Sequence, residues 1–230
     1  MDISNQGRRC PYLYRADLML IPTLPPSIPA DVAHRAMAAV ICQGKAPRHV
    51  LIADMSQPSS HKRLWVLDLT KPGHPVLIAQ EFVAHGSGSD PSRSGYARKF
   101  SNTVDSGMTS LGLYRVAEPY RMAKHGKAYR LDGLSITTDG LARTRGVVLH
   151  PADYVRETGV VGRSLGCPAL NPATFIRLDK GGYLAGALIW IDGGYASPTT
   201  SCAALASPWP STPSLVYGRT VQTCSIGDLS

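Results

Sequence analysis

No stretch of this 230-residue sequence is long and apolar enough to cross a bilayer as a helix. The longest apolar runs, Pro75 to Ala84 and Tyr183 to Ile191, fall far short of the roughly 20 residues a span needs, so no integral membrane segment is expected. Nowhere do five like charges stand in a row, and the aromatics, 7% of residues, do not interleave with basic side chains as a nucleic-acid stacking platform requires. Nucleic acid is therefore not an expected partner. The seven histidines and five cysteines form no His-x-His, His-Glu-x-x-His or Cys-x-x-Cys, so no ligand set has zinc-like spacing, and neither a metal nor another cofactor is expected. His85-Gly86-Ser87-Gly88-Ser89-Asp90 is glycine-rich, yet no Gly-Lys-Ser/Thr and no helical pattern follow it, which leaves a loop at a strand end. No internal repeat is present. Met1 to Pro26 lacks the basic start, apolar core and small-residue cleavage site of a secretory signal, since Leu18-Met19-Leu20-Ile21 is too short and follows an aspartate. That leaves either a processed form or delivery by a route needing no amino-terminal signal, such as injection into another cell.

What is present suits one domain of ordinary size with appended segments. An amino-terminal extended lead-in (1–28) precedes a single domain (29–196), and a Ser/Thr/Pro-rich tail (197–230) follows as a covering segment or arm. Lys and Arg number 24 against 16 Asp and Glu, a net charge of +8 that biases the surface toward anionic partners: nucleic acid, anionic lipid or carboxylate-rich cell wall. Charge alone does not choose among them.

Within the domain, Ala33, Met37, Val40 and Ile41 fall at helical spacing over Ala30 to Gln43, and Gly44 is the stop. Strand-like runs follow at Val50 to Met55, Leu64 to Leu69, Pro75 to Val83, Ser110 to Ala117, Ala128 to Ile136, Val147 to His150 and Ala187 to Asp192. Turn clusters such as Ser56-Gln57-Pro58-Ser59-Ser60 and Lys71-Pro72-Gly73 separate them, the rhythm of a mostly β sandwich or barrel with a few short helices.

Two stretches carry chemistry. Val147-Val148-Leu149 reads as a buried strand that ends on His150, just before a proline expected to break the ladder. Downstream, Gly166 permits a tight turn and Pro168 fixes the chain's exit, so Cys167 is held between two punctuators. Asn171-Pro172 then reads as N-cap and first residue of a helix that ends at Lys180-Gly181-Gly182. A thiol attacks as thiolate and needs a base or positive charge to lower its pKa from about 8.5. His150, Arg163 and the helix start are the candidates. Taken alone, the spacing fits a buried small thiol and a satisfied strand-end histidine just as readily.

The surrounding motifs add to this. Val83-Ala84-His85-Gly86, Phe100-Ser101-Asn102, Ser110-Leu111-Gly112-Leu113-Tyr114, Lys124-His125-Gly126 and Gly162-Arg163-Ser164-x-Gly166-Cys167-Pro168-Ala169, with His150 ahead of the last, occur in order. Together they resemble the L,D-transpeptidase (YkuD-type) catalytic domain, and within it the murein L,D-transpeptidase subfamily, over about Pro29 to Gly194. The resemblance implies a β-sandwich of mixed sheets with a catalytic cleft. It also implies a cysteine enzyme of peptidoglycan, acting on tetrapeptide stems through a thioester acyl-enzyme and releasing terminal D-Ala, as L,D-transpeptidase or L,D-carboxypeptidase. Cys167 is then the nucleophile and His150 its base, oriented by a backbone carbonyl. Gly166 and Ser164 shape the turn, the N–H groups of Gly166 and Cys167 serve as oxyanion donors, and Arg163, His85, Ser110, Tyr114 and His125 line the substrate site. Arg163 has the alternative of capping a loop carbonyl, and His85 that of a structural hydrogen bond. Two departures stand out: Leu165 where relatives carry an aromatic or His, and Pro168-Ala169 in place of an apolar-Asn or apolar-Arg pair.

A periplasmic, wall-associated or secreted location follows from that substrate. Rival readings are an antibacterial toxin using the same chemistry on a competitor's wall, with an immunity or delivery partner, and a non-catalytic peptidoglycan-binding module. Of the five cysteines, Cys202 and Cys224 can close a loop in the tail while Cys10 and Cys42 bracket the amino-terminal segment, leaving Cys167 free; reduced structural thiols are the alternative.

Overall fold

A computed structural model of the chain describes residues 24–44, 46–71, 73–135, 138–156 and 163–195. The lead-in before residue 24, the tail after 195, Gly162, and the cysteines at 10, 202 and 224 lie outside the described residues. Cys42 is disulfide-bonded, and Cys167 is the free thiol among the described residues.

Helix α1 spans Ala30–Ile41. Strands β1 (His49–Asp54), β2 (Leu64–Asp68), β3 (Val76–Glu81), β4 (Gly112–Met122), β5 (Gly126–Gly133), β6 (Val148–Pro151) and β7 (Ala169–Leu170) follow, then helix α2 (Pro172–Lys180) and β8 (Leu188–Asp192). All eight strands belong to one mixed ladder in the order β3-β2-β1-β8-β4-β5-β6-β7. The β1/β8 and β6/β7 pairs are parallel. The described residues are thus mostly β, with two α-helices.

Alternation along the strands explains how the ladder buries both faces. In β1, Leu51 and Ala53 enter one core while Val50 and Ile52 enter a second; in β8, Ile189 and Ile191 divide from Leu188 and Trp190 in the same way. The first core takes side chains from all eight strands, among them Val66, Ala79, Val116, Leu131, Leu149 and Leu170. The second is roofed by α1 through Val32, Ala36, Ala39 and Val40.

The two ends of the ladder are linked at one point. Ala84, three residues beyond β3, bridges Ala169 of β7, its N–H 2.9 Å from the Ala169 carbonyl. What reads as a sandwich is one ladder whose ends are joined there, beside its first core. The seam where they join carries the Ser164 to Cys167 turn.

Two elements depart from the expected pattern. Strand β4 runs past Ala117 to Met122 because a register shift between Val116 and Pro119 accommodates the proline. In β6, Pro151 continues the strand and pairs with Leu170 instead of ending the ladder.

Candidate active site

The turn at the seam is held mainly by its own bonds. Ser164 donates its N–H to His85 O at 3.0 Å and accepts from Ser87 N–H at 2.7 Å, which docks the turn on the chain leaving β3. The Ser164 hydroxyl donates to Cys167 O at 2.6 Å and accepts the Gly166 N–H at 3.0 Å. Gly166 has φ +121, and a Cβ there would stand 2.7 Å from Met108 O and 3.1 Å from Arg145 Nη2. No side chain fits that position without displacing backbone.

The half-buried Cys167 side chain that this turn presents accepts the Val148 N–H at 3.5 Å. Its Sγ also lies 4.0 Å from Gly146 O. Burial pushes the thiol pKa up, opposed by the Val148 N–H and the Arg145 charge. Strand β6 carries His150 two residues beyond Val148, paired in register with Ala169. The thiol thus sits on the turn leading into β7 and the imidazole on the neighbouring strand β6, with no hydrogen bond between them among the described residues.

The His150 ring is buried, and its Nδ1 lies 2.9 Å from Pro151 O. A carbonyl only accepts, so Nδ1 carries the hydrogen and Nε2 keeps its lone pair. Burial lowers the His150 pKa, the Pro151 carbonyl opposes this, and His125 adds to the lowering. The imidazole is therefore neutral near pH 7 and able to accept a proton.

His125 stands at the turn of the β4–β5 hairpin, which brings its ring to a centroid distance of 4.9 Å from that of His150. Tyr154 meets both rings edge-on, at 6.4 Å from His125 and 6.5 Å from His150. Its phenol pKa is pushed up to about 12 by burial, with the Cys167 charge acting in the same sense.

Other residues expected at a substrate surface are placed elsewhere. His85 is fully buried, its Nδ1 2.7 Å from Nη2 of the equally buried Arg63. Burial and the Arg63 charge take its pKa down to about 4, so it is a neutral interior group with no face to offer a substrate. Ser110 and Tyr114 are buried as well: their hydroxyls meet at 2.6 Å, and Tyr114 donates to Ser110 O at 2.8 Å. These three belong to the packing beneath the seam. Arg163 directs Nη1 to the carbonyls of Asp90 and Ser87, capping the 87–90 loop. The Gly166 N–H, expected as an oxyanion donor, is taken by Ser164 Oγ, whereas the Cys167 N–H has no acceptor among the described residues.

Sequence reasoning missed Tyr154, Arg63 and Arg145. The first two gave no signal, because burial next to another chain segment is invisible in a linear pattern. Arg145 did give one: a basic residue immediately before the strand that ends on His150. Among the described residues no cluster of three or more His, Cys, Asp or Glu is arranged to hold a metal ion, and no helix is long and apolar enough to cross a membrane.

The described residues thus form a mostly β domain whose seam carries a free thiol and an oriented imidazole. Residues 26–181 match the model of the YkuD_2 L,D-transpeptidase catalytic domain, and the chain belongs to that family. Among solved structures it is similar to an L,D-transpeptidase from Mycobacterium smegmatis, at 13% identity and a TM-score of 0.40 over 64% of this chain and 60% of that one. It is also similar to the L,D-transpeptidase (Yku) from Stackebrandtia nassauensis, at 20% identity and a TM-score of 0.39 over 71% and 65%. The helical cell shape determining protein Pgp2 from Campylobacter jejuni follows at 11% identity and a TM-score of 0.43 over 63% and 47%. The chain spans less than two thirds of the length of each. No curated protein matches it. The family assignment rests on the family model.

Proposed function

We propose that the chain is a cysteine-dependent peptidoglycan L,D-transpeptidase that works by two-step acyl transfer. The observation that carries this reading is a free, half-buried thiol on a turn fixed by its own hydrogen bonds, beside a strand bearing an imidazole whose Nδ1 is already tied to a carbonyl. His150 Nε2 takes the Cys167 proton as the side chain turns from the Val148 N–H toward the ring. The thiolate attacks the carbonyl carbon of the third residue of a tetrapeptide stem, and the Cys167 N–H faces the oxyanion. The bond to terminal D-Ala breaks, His150 gives its proton to the departing amine, and a thioester remains. An acceptor amine then loses its proton to His150 and displaces sulfur, forming a cross-link; water in that place gives carboxypeptidase action. His125 and Tyr154 pack against the imidazole, and the stem would approach past them.

Such an enzyme works at the wall, in the periplasm or outside the cell. Turned on a competitor's wall, the same chemistry would make it a toxin, which growth arrest on directing the protein to a susceptible periplasm would reveal. The decisive experiment is incubation with purified disaccharide-tetrapeptide followed by mass spectrometry of protein and products. We expect loss of D-Ala and an acyl adduct on Cys167, with neither in Cys167→Ala. An unmodified wild type that binds the muropeptide tightly would overturn the enzymatic reading in favour of a binding module.

A further inference from the structure

The thiolate that this reading requires needs a positive partner, and the imidazole does not supply one in the resting site. His150 makes no hydrogen bond to the sulfur, and its lowered pKa leaves it neutral near pH 7. The other titratable groups acting on Cys167 are the phenols of Tyr114 and Tyr154, both with raised pKa values and both uncharged. The one carboxyl acting on Tyr114, Asp139, is itself pushed up to about 8 by burial and is largely protonated. Arg145 is the remaining charge.

Its position is constrained from several sides. Nη1 donates to Ser101 O at 3.0 Å and Ser110 Oγ at 2.9 Å, and Nη2 to Met108 O at 2.5 Å and Ser106 Oγ at 3.5 Å. Every acceptor is neutral, and Arg145 has no carboxylate partner among the described residues. The half-buried Arg35 is spent differently, in a two-pronged pair with Asp192, and although Arg63 and Arg163 also reach only neutral acceptors, Arg145 is the guanidinium that acts on Cys167. The nucleophile turn lies directly on this unpaired cation: the Gly166 Cβ position is 3.1 Å from Nη2 and 2.7 Å from the Met108 carbonyl that Nη2 holds.

We propose that Arg145 is the counter-charge of the Cys167 thiolate and a positioning residue of the site, its fork binding loop 101–108 beneath the Gly166 turn while its charge acts on sulfur. This rests on Cys167 being the nucleophile. On ionisation the S–H bond breaks, the electron pair stays on sulfur and the proton passes to Nε2 of His150. The cation stabilises the first product without being consumed. A planar fork suits the task because it satisfies several carbonyls and hydroxyls at fixed angles and keeps its charge at any working pH.

The test is the thiol pKa of the whole protein, read as the pH dependence of iodoacetamide alkylation at Cys167 and resolved from the other cysteines by peptide mass spectrometry. Arg145→Gln should raise that pKa by about one unit or more, within the range a neighbouring opposite charge produces. Arg145→Lys keeps the charge and should stay within about half a unit of wild type, losing turnover through the loosened turn instead. Ser106→Asp, at a half-exposed loop position, sets a carboxylate beside Nη2 and neutralises the field without removing the guanidinium. It should raise the thiol pKa, and Ser106→Asn should not. If Arg145→Gln does not fold, the Ser106 pair decides. A thiol pKa unchanged in both Arg145→Gln and Ser106→Asp, or raised as far in Arg145→Lys as in Arg145→Gln, would overturn the proposal. Alkylation needs no turnover, so failure here is distinct from failure to process tetrapeptide.

Discussion

A buried imidazole that accepts from a guanidinium cannot take up a second proton without losing that bond. His85 is in this position, with Arg63 donating to its Nδ1. Its pKa in the folded chain, about 4, lies below the ordinary 6.5, so between those values the unfolded chain binds more protons than the folded one. The stability His85 contributes is therefore present above pH 6.5 and lost as pH falls toward 4, a difference on the order of 3 kcal/mol. Asp90, which Ser92, Ser94 and Gly95 hold at about 2 against the raising effect of burial, acts only below the usual carboxylate range, whereas Asp139, pushed up to about 8 by burial, gains stability as pH falls through the same window and opposes His85. The His85 share is therefore read from thermal melts as a difference between two proteins. In His85→Gln, whose amide oxygen can still accept from Arg63, the neutral-pH melt should be lower, and the gap from wild type should narrow from pH 7 to 4.5; a gap that stays constant would sink this account. The same residue shows what a sequence conceals. Cys167 and His150 could be singled out because a glycine, prolines and a β-branched run frame them locally. That His85, Ser110 and Tyr114 are interior could not, because what buries and satisfies them comes from elsewhere: Arg63 lies 22 residues before His85, and Arg145 lies 35 after Ser110.

At the scale of elements, helical spacing located α1, apolar runs between turn clusters located seven strands, and the Asn171-Pro172 start with the Lys180-Gly181-Gly182 stop located α2, each to within a few residues. Asn171 caps α2 as its side-chain type suggests, accepting the Ala173 N–H at 2.9 Å. The pattern could not give β7, which at two residues is too short to show alternation, nor the far end of β4, where a bulge carries the strand through Pro119. The strand β7 nonetheless carries the bridge to Ala84 and sets the Ser164 to Cys167 turn beside β6. That turn tolerates no side chain at Gly166. In Gly166→Ala the methyl group would stand 2.7 Å from Met108 O on a backbone at φ +121. The strain costs about 1 to 3 kcal/mol, and either the Met108 carbonyl leaves Arg145 or the turn shifts. We expect a lower melting temperature together with a fall in kcat/KM of about 100-fold, the usual consequence of an ångström of misplacement. Near-wild-type turnover of tetrapeptide by a folded Gly166→Ala protein would show that the turn need not be rigid.

The whole molecule separates what holds it together from the site proposed to react. Two cores lie on opposite faces of the ladder, and the thiol borders the first while α1 covers only the second. The tie that fastens α1 is Arg35, whose Nε and Nη2 reach the Asp192 carboxylate at 2.8 and 2.9 Å. Asp192 closes β8, is buried, and also accepts from Trp190 Nε1 and Gly194 N–H. Removing the guanidinium leaves a buried carboxylate with only those two neutral donors, which costs about 3 kcal/mol or more, a melting shift of roughly 6 to 12 °C for a domain of this size. None of this reaches the seam, because the β6/β7 pairing, the Ser164 turn and the Arg145 fork make no contact through α1. Arg35→Met should therefore melt markedly lower, yet at a temperature well below that melt keep its kcat/KM and its Cys167 thiol pKa within about twofold and a few tenths of a unit of wild type. A folded Arg35→Met protein with an altered thiol pKa would mean that strain at the helix face is transmitted through β8 and β4 to Cys167, and that the two faces of the ladder act as one.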